Sequence, residues 1–342
     1  MRTAILGAGA LGIIIGALMT KNGKEVDLID SFKENVDALN ANGATVTGNL
    51  KLHQSVKALT PEEMTGTYDL ILLLTKQTAN ETALPKLLPY LHKDSVVCTL
   101  QNGVPEDSVA SYVGKERTIG GAVGFGATWL KPGVSELTST MEAVEKFAFE
   151  IGEIDGVLRP RLEKVKETLS AAGGTTILTN LMGIRYTKLL MNSTFSGMSA
   201  ALNGTFSDVL VNPKAMVCVA HIADEVIKVC HSLGYRMVEM QGADLEQLEL
   251  NSKADIPGKM EIYKKVWGRH NNKASMLQDL EKGKKTEIDY INGVVCQAGR
   301  KCGILTPFND MVVSLVKEAE ARDGVNNFSY LDRFNDIIEN AK

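Results

Sequence analysis

The chain opens MRTAILGAGALGIIIGALM, and the spacing of Gly7, Gly9 and Gly12 within that run constrains the fold more than any other stretch. The apolar TAIL before the turn predicts a buried strand, and ALGIIIGALMTKNG after it predicts a helix. Between such elements each glycine has a separate role. Gly7 permits a tight turn, Gly9 lets the backbone approach a pyrophosphate with no Cβ in the way, and Gly12 allows close helix–strand packing. The helix start offers amides and partial positive charge to phosphates, so Gly7, Ala8, Gly9, Ala10, Leu11 and Gly12 form the expected cofactor seat. A strand–turn–helix with no ligand is the alternative reading.

The rest of the first half repeats the pattern. EVDLID predicts a second strand, followed by a helix through SFKENVDALNANG in which Ser31 and Glu34 match a capping box. YDLILLLT, SVVCTLQ and RTIGGAVGFGATW read as further strands. Near-continuous apolar strands separated by helices predict a parallel sheet covered on both faces. VSELTST and KFAFEIGEID alternate instead, as an antiparallel addition at its edge. From about residue 179 helical periodicity dominates, with Gly234, Gly283 and Gly303 at expected C-caps and Pro307 in a first turn. The expected architecture is α/β plus all-α. A Rossmann-type dinucleotide-binding domain spans residues 1–178, and an all-helical substrate domain spans 179–342.

Polar residues at strand ends and on one helix suggest chemistry. Asp30 ends the second strand, where an acid hydrogen-bonds ribose hydroxyls and repels a 2′-phosphate, favouring NADH. It could equally cap the next helix, and Lys33 stands close enough to compensate a phosphate. Lys76 in TKQT and Asn102 in QNGV follow successive strands, at the edge where open α/β sheets bind ligands. Lys188, Asn192 and Ser196 recur every fourth residue, so they share one helix face among Leu189, Leu190 and Phe195. A lysine and an amide there call for a wet cleft or partners. Asn272 and Ser275 lie where a helix start would welcome an anion. Spacing alone makes Glu287 a helix-dipole or capping acid.

GAGALG, Lys76, QNGV, KLLMN and SMLQDLEKGKKTEIDYINGVV, in that order, resemble the ketopantoate reductase (2-dehydropantoate 2-reductase) family over nearly the whole chain. The resemblance implies reduction of 2-dehydropantoate to pantoate by NAD(P)H, in pantothenate and coenzyme A biosynthesis. By the same resemblance Lys188 is the general acid, and Glu287 orients the substrate or the lysine. Asn102, Asn192, Asn272 and Ser275 bind the substrate, and the glycines, Lys76 and Asn102 touch the cofactor. Two departures stand out. Ser196 replaces a second asparagine in the hydroxyl-binding part of the pocket. Asp30 stands where NADPH-dependent members carry a basic or neutral residue. A reductase of another branched 2-oxo acid, NADH-dependent, is therefore the alternative within the enzyme class. A non-catalytic dinucleotide-binding protein is the alternative outside it, although such a protein needs no proton donor.

Composition narrows the partners. A formal net charge of −4 and the absence of an arginine-rich stripe argue against nucleic acid and anionic membranes. No apolar segment is long enough to span a bilayer and no signal peptide is visible, so a cytoplasmic location is expected. The five cysteines lack CxxC spacing and read as free thiols, and no metal-ligand constellation is visible. A small 2-oxo acid is the expected partner, and the apolar helices leave a homodimer open.

Overall fold

A computed structural model describes residues 1–239, 242–268 and 273–341. Their contacts divide into two units, 1–181 and 182–342.

The first unit contains β1 (Thr3–Leu6), β2 (Val26–Ile29), β3 (Ala44–Gly48), β4 (Leu52–Gln54), β5 (Lys57–Leu59), β6 (Tyr68–Leu73), β7 (Leu91–Thr99), β8 (Thr118–Val123), β9 (Ala127–Lys131), β10 (Val134–Leu137), β11 (Phe149–Gly152) and β12 (Thr175–Ile177). Eight of them form one sheet in the order β12-β11-β8-β7-β6-β1-β2-β5. From β5 to β8 every pairing is parallel. The alternation of side chains explains why these strands are apolar throughout. Ile5, Leu70, Leu72, Val96 and Cys98 enter one core, while Ala4, Leu6, Ile71, Leu73 and Val97 enter another. Both faces are covered, so neither set of alternate positions tolerates polar residues.

The edge differs in part from expectation. KFAFEIGEID does supply an antiparallel strand, since β11 runs against β8. VSELTST does not join that sheet. Its strand β10 pairs with β3 and β9 in a separate four-stranded sheet, β4-β3-β10-β9. RTIGGAVGFGATW divides between the two sheets as β8 and β9. Gly124 lies at the break, where an added Cβ would collide with the Phe147 carbonyl.

The Ser31–Glu34 capping box also fails to form. The Lys33–Asn42 helix starts from Phe32 with no side-chain cap of its own. Asp30 takes over, because its Oδ1 accepts the Phe32 amide at 2.9 Å.

The second unit is helical. Its centre is the Pro213–Ser232 helix, buried along most of its length, against which the Asn292–Cys302 and Pro307–Ala321 helices pack. Pro307 sits in the first turn and Gly303 is a left-handed C-cap, as the sequence predicts. The Ile256–Trp267 helix escapes sequence reading, since proline and glycine at its second and third positions mask the periodicity. The Leu181–Met191 helix runs into a π-helical turn, Asn192–Ser196, and then into the Gly197–Leu202 helix. Among the described residues no helix is long and apolar enough to cross a membrane.

Candidate functional site

In the first unit the C-terminal ends of β1, β2, β6 and β7 are tied into one edge. The Gly7 amide donates to Ile29 O at 2.8 Å, Leu74 N to Leu6 O at 2.9 Å, and Leu100 N to Leu73 O at 2.9 Å. Gly7 has φ +108°, and a Cβ there would come within 2.7 Å of Thr75 N. A Cβ on Gly12 would collide with the Gly7 carbonyl, so helix and turn meet backbone to backbone. Gly9 is the opposite case, being exposed, with nothing within 4 Å of an added Cβ. It is the N-cap of the Ala10–Lys21 helix, whose first turn holds no acidic residue. Ala8 and Gly12 are buried, and Ala10 and Leu11 half-buried. Open space beside a helix N-terminus, walled by glycines that are themselves tightly packed, fits a dinucleotide phosphate.

Asn35, which sequence reasoning overlooked, holds this turn. Its Nδ2 donates to Ala8 O at 2.9 Å and to Asp30 Oδ2 at 3.2 Å, while its Oδ1 accepts the Gly133 amide at 2.9 Å. A buried amide inside an otherwise amphipathic helix was the available signal. Asp30 is half-buried, and desolvation raises its carboxyl above the usual value against four hydrogen bonds that lower it. Lys33 pairs with Asp37 at 2.7 Å across one helical turn, with both side chains largely exposed.

Lys76 and Asn102 stand on neighbouring loops. Lys76 is exposed and begins the Gln77–Ala79 turn. Gln77 Nε2 donates to Asn102 O at 2.6 Å. Gln101 Nε2 donates to Thr75 O at 2.9 Å and to Asn80 Oδ1 at 2.7 Å. The two strand-end loops are therefore fixed to each other by glutamines.

In the second unit, Lys188, Asn192 and Ser196 are half-buried, while Leu189, Leu190, Ser193, Thr194, Phe195 and Gly197 are buried. The three share an open face, but not for the reason the spacing gives. Four α-helical residues overshoot a full turn by about 40°. Across the wider π turn four residues fall short instead. The drift from Lys188 to Asn192 is thus reversed between Asn192 and Ser196, bringing Ser196 back towards the lysine's direction.

Ser275 comes from an element packed near this turn, and Glu287 precedes one that packs against the Asn292–Cys302 and Pro307–Ala321 helices. Ser275 is the exposed first residue of the Ser275–Glu281 helix, which contacts both the π turn and the Gly197–Leu202 helix. Glu287 is buried and makes no side-chain cap bond to the Ile288–Tyr290 turn it precedes. Thr286 beside it is locked by Glu320, whose Oε1 accepts from Thr286 N at 2.7 Å and from Thr286 Oγ1 at 2.6 Å. Asn272 lies outside the described residues. Four of the five cysteines are buried and Cys302 is half-buried, and all five are free thiols.

Residues 3–154 match the family described as ketopantoate reductase PanE/ApbA, and residues 180–320 match its C-terminal part. A 2-dehydropantoate 2-reductase of Pyrococcus horikoshii is 30% identical over 330 residues, covering 95% of this chain and 99% of that protein. A crystal structure of 2-dehydropantoate 2-reductase from Geobacter metallireducens superposes with a TM-score of 0.78 at 27% identity, covering 93% of this chain and 100% of that one. The ternary structure of a D-mandelate dehydrogenase with NADH and anilino(oxo)acetate also gives 0.78, at 26% identity, covering 94% of this chain and 99% of that one.

Proposed function

Because the chain belongs to the ketopantoate reductase family, we propose that it reduces 2-dehydropantoate to pantoate, with Lys188 as general acid and a nicotinamide dinucleotide as reductant. The observation that carries the assignment of roles is that Lys188, Asn192 and Ser196 are the half-buried polar residues of a helix whose other residues are buried or apolar. The bound cofactor supplies a hydride to the 2-oxo carbon, and negative charge develops on the carbonyl oxygen. An ammonium at Lys188 stabilises that charge and delivers the proton, a role worth about 10²- to 10⁴-fold in rate. Glu287, a buried acid just ahead of the Ile288–Tyr290 turn, orients the lysine or the substrate. Asn102, Asn192, Ser275 and Asn272 bind carboxylate and hydroxyl groups, with Ser196 in the hydroxyl-binding part. Gly7 to Gly12 seat the pyrophosphate, and Lys76 and Asn102 reach the cofactor from the strand ends.

NADH is the favoured reductant. Asp30 accepts from Phe32 and Asn35 at the C-terminal end of β2, the position from which a carboxylate takes ribose hydroxyls. Its charge opposes a 2′-phosphate, and Lys33 is engaged with Asp37. A second reading, reduction of a different branched 2-oxo acid, is favoured by Ser196 and by the likeness to a D-mandelate dehydrogenase solved with NADH.

The test of the assigned chemistry is Lys188→Ala. Turnover should fall at least about 100-fold while the Kd for the dinucleotide stays unchanged. Unchanged turnover would remove Lys188 from the mechanism.

A further inference from the structure

The π turn is held by a residue far away in sequence. In an α-helix the Gly197 amide would donate to Ser193 O. Here it is directed to Asn192 O and Thr194 O instead. Ser193 O is met by Asn292 Nδ2 at 2.9 Å. Asn292 is fully buried, and the same Nδ2 donates to Asn309 Oδ1 at 2.9 Å. Asn309 Nδ2 donates in turn to Glu225 Oε2 at 2.7 Å, and the Glu225 carboxylate accepts the Phe308 and Asn309 amides at 2.8 and 2.9 Å.

The turn's own residues agree with this arrangement. Ser193 Oγ donates to Leu189 O at 2.8 Å and Thr194 Oγ1 to Leu190 O at 2.7 Å, a form of back-bonding that competes with regular α geometry. Gly197 has no Cβ where one would lie 2.7 Å from Asn292 Oδ1, so the glycine makes room for the amide. Phe195, between them, stacks on Trp267 with centroids 4.8 Å apart.

We propose that Asn292, braced by Asn309 and Glu225, is a positioning residue for the substrate pocket. By replacing the Gly197 amide as the partner of Ser193 O, it maintains the π turn and so sets the angle between Lys188 and the Asn192–Ser196 part of the face. If the turn relaxed to α geometry, the residues beyond it would slip by one position, about 100° of rotation. Ser196, the last residue of the turn, would swing to about 80° from Lys188, two α-helical steps of about 40°, and the pair would no longer converge on one substrate. The inference rests on the proposed reduction of a 2-oxo acid.

Two variants test it. Asn292→Ala removes the donor, and Gly197→Ala pushes a Cβ onto the amide without changing Asn292. A Cβ at Gly197 crowds the Asn292 amide and costs stability whatever the amide does, so substrate discrimination rather than stability is the readout. In both variants the kcat/KM ratio of 2-dehydropantoate to the same branched acid lacking its hydroxyl should fall about tenfold, with the KM for the dinucleotide within about twofold. A folded variant of either kind that keeps the wild-type ratio overturns the proposal. If the wild-type protein reduces no 2-oxo acid, the functional reading fails, and amide hydrogen exchange tests the turn directly. The Gly197 amide should exchange differently in Asn292→Ala while amides of residues 181–191 do not, and identical exchange at Gly197 would also overturn it.

Discussion

In the first unit the ligand edge is built from backbone. Gly7 and Gly12 are fixed by contacts that no side chain could share, and Gly9 faces open space. In the second unit the equivalent face is built from side chains on a helix that departs from α geometry just where they stand. The first arrangement is local, with its cause inside a few consecutive residues. The second is non-local, because Asn292 and Asn309 hold the turn from elements about a hundred residues away in sequence. A nucleotide turn therefore announces itself in the sequence, whereas a substrate face shaped by a distant amide does not.

The comparison is broken most severely at Gly12. Gly12→Ala places a methyl against the Gly7 carbonyl, an overpacking that costs about 1–3 kcal/mol and displaces the turn. Dinucleotide affinity measured by titration calorimetry should fall by at least about tenfold. The same substitution at Gly9, with open space around it, should leave stability unchanged while still weakening cofactor binding.

The second region is sharpened through Glu225. Burial pushes its carboxyl up to about 8, outweighing the Phe308 and Asn309 donors that pull it down. The folded state therefore holds this proton more tightly than the unfolded chain, whose carboxyl has its ordinary value of 4.5. The resulting stability is present below about pH 4.5 and is lost as pH rises through about 8. Glu225→Gln should remove a slope of at most about 1.4 kcal/mol per pH unit across that window. Urea unfolding of both proteins between pH 5 and pH 9 reads it. Parallel pH profiles would show that Glu225 does not titrate on folding.

Asp30 gives a smaller effect. Asp30→Asn keeps the acceptor for the Phe32 amide but removes the charge, so the NADH to NADPH ratio of kcat/KM should fall about tenfold. An unchanged ratio would leave Asp30 as a helix cap alone. Ser196→Asn should have the smallest effect, raising the preference for a hydroxylated 2-oxo acid a few-fold without altering cofactor affinity.

Much of the first unit was legible because its causes are short-range. Both faces of the sheet are buried, so the strands are apolar at every position and stand out. What failed involved pairing across long separations. Nothing in VSELTST says that it joins β3, some ninety residues earlier, rather than its neighbour β11. The capping box failed because the helix starts one residue later, at Phe32, so Ser31 is not the N-cap and Glu34 is not its third residue. At the lysine helix the fourfold spacing placed three residues on one face, while the actual route passes through a π turn. Adjacent Ser193 and Thr194 before Gly197 were the only local hint of it.

The central claim is tested most directly by following dinucleotide oxidation against a panel of 2-oxo acids with NADH and with NADPH. The account predicts the highest kcat/KM for 2-dehydropantoate, with NADH the better reductant. A poor rate with 2-dehydropantoate beside a fast rate with another branched 2-oxo acid would contradict it and establish the second reading in its place.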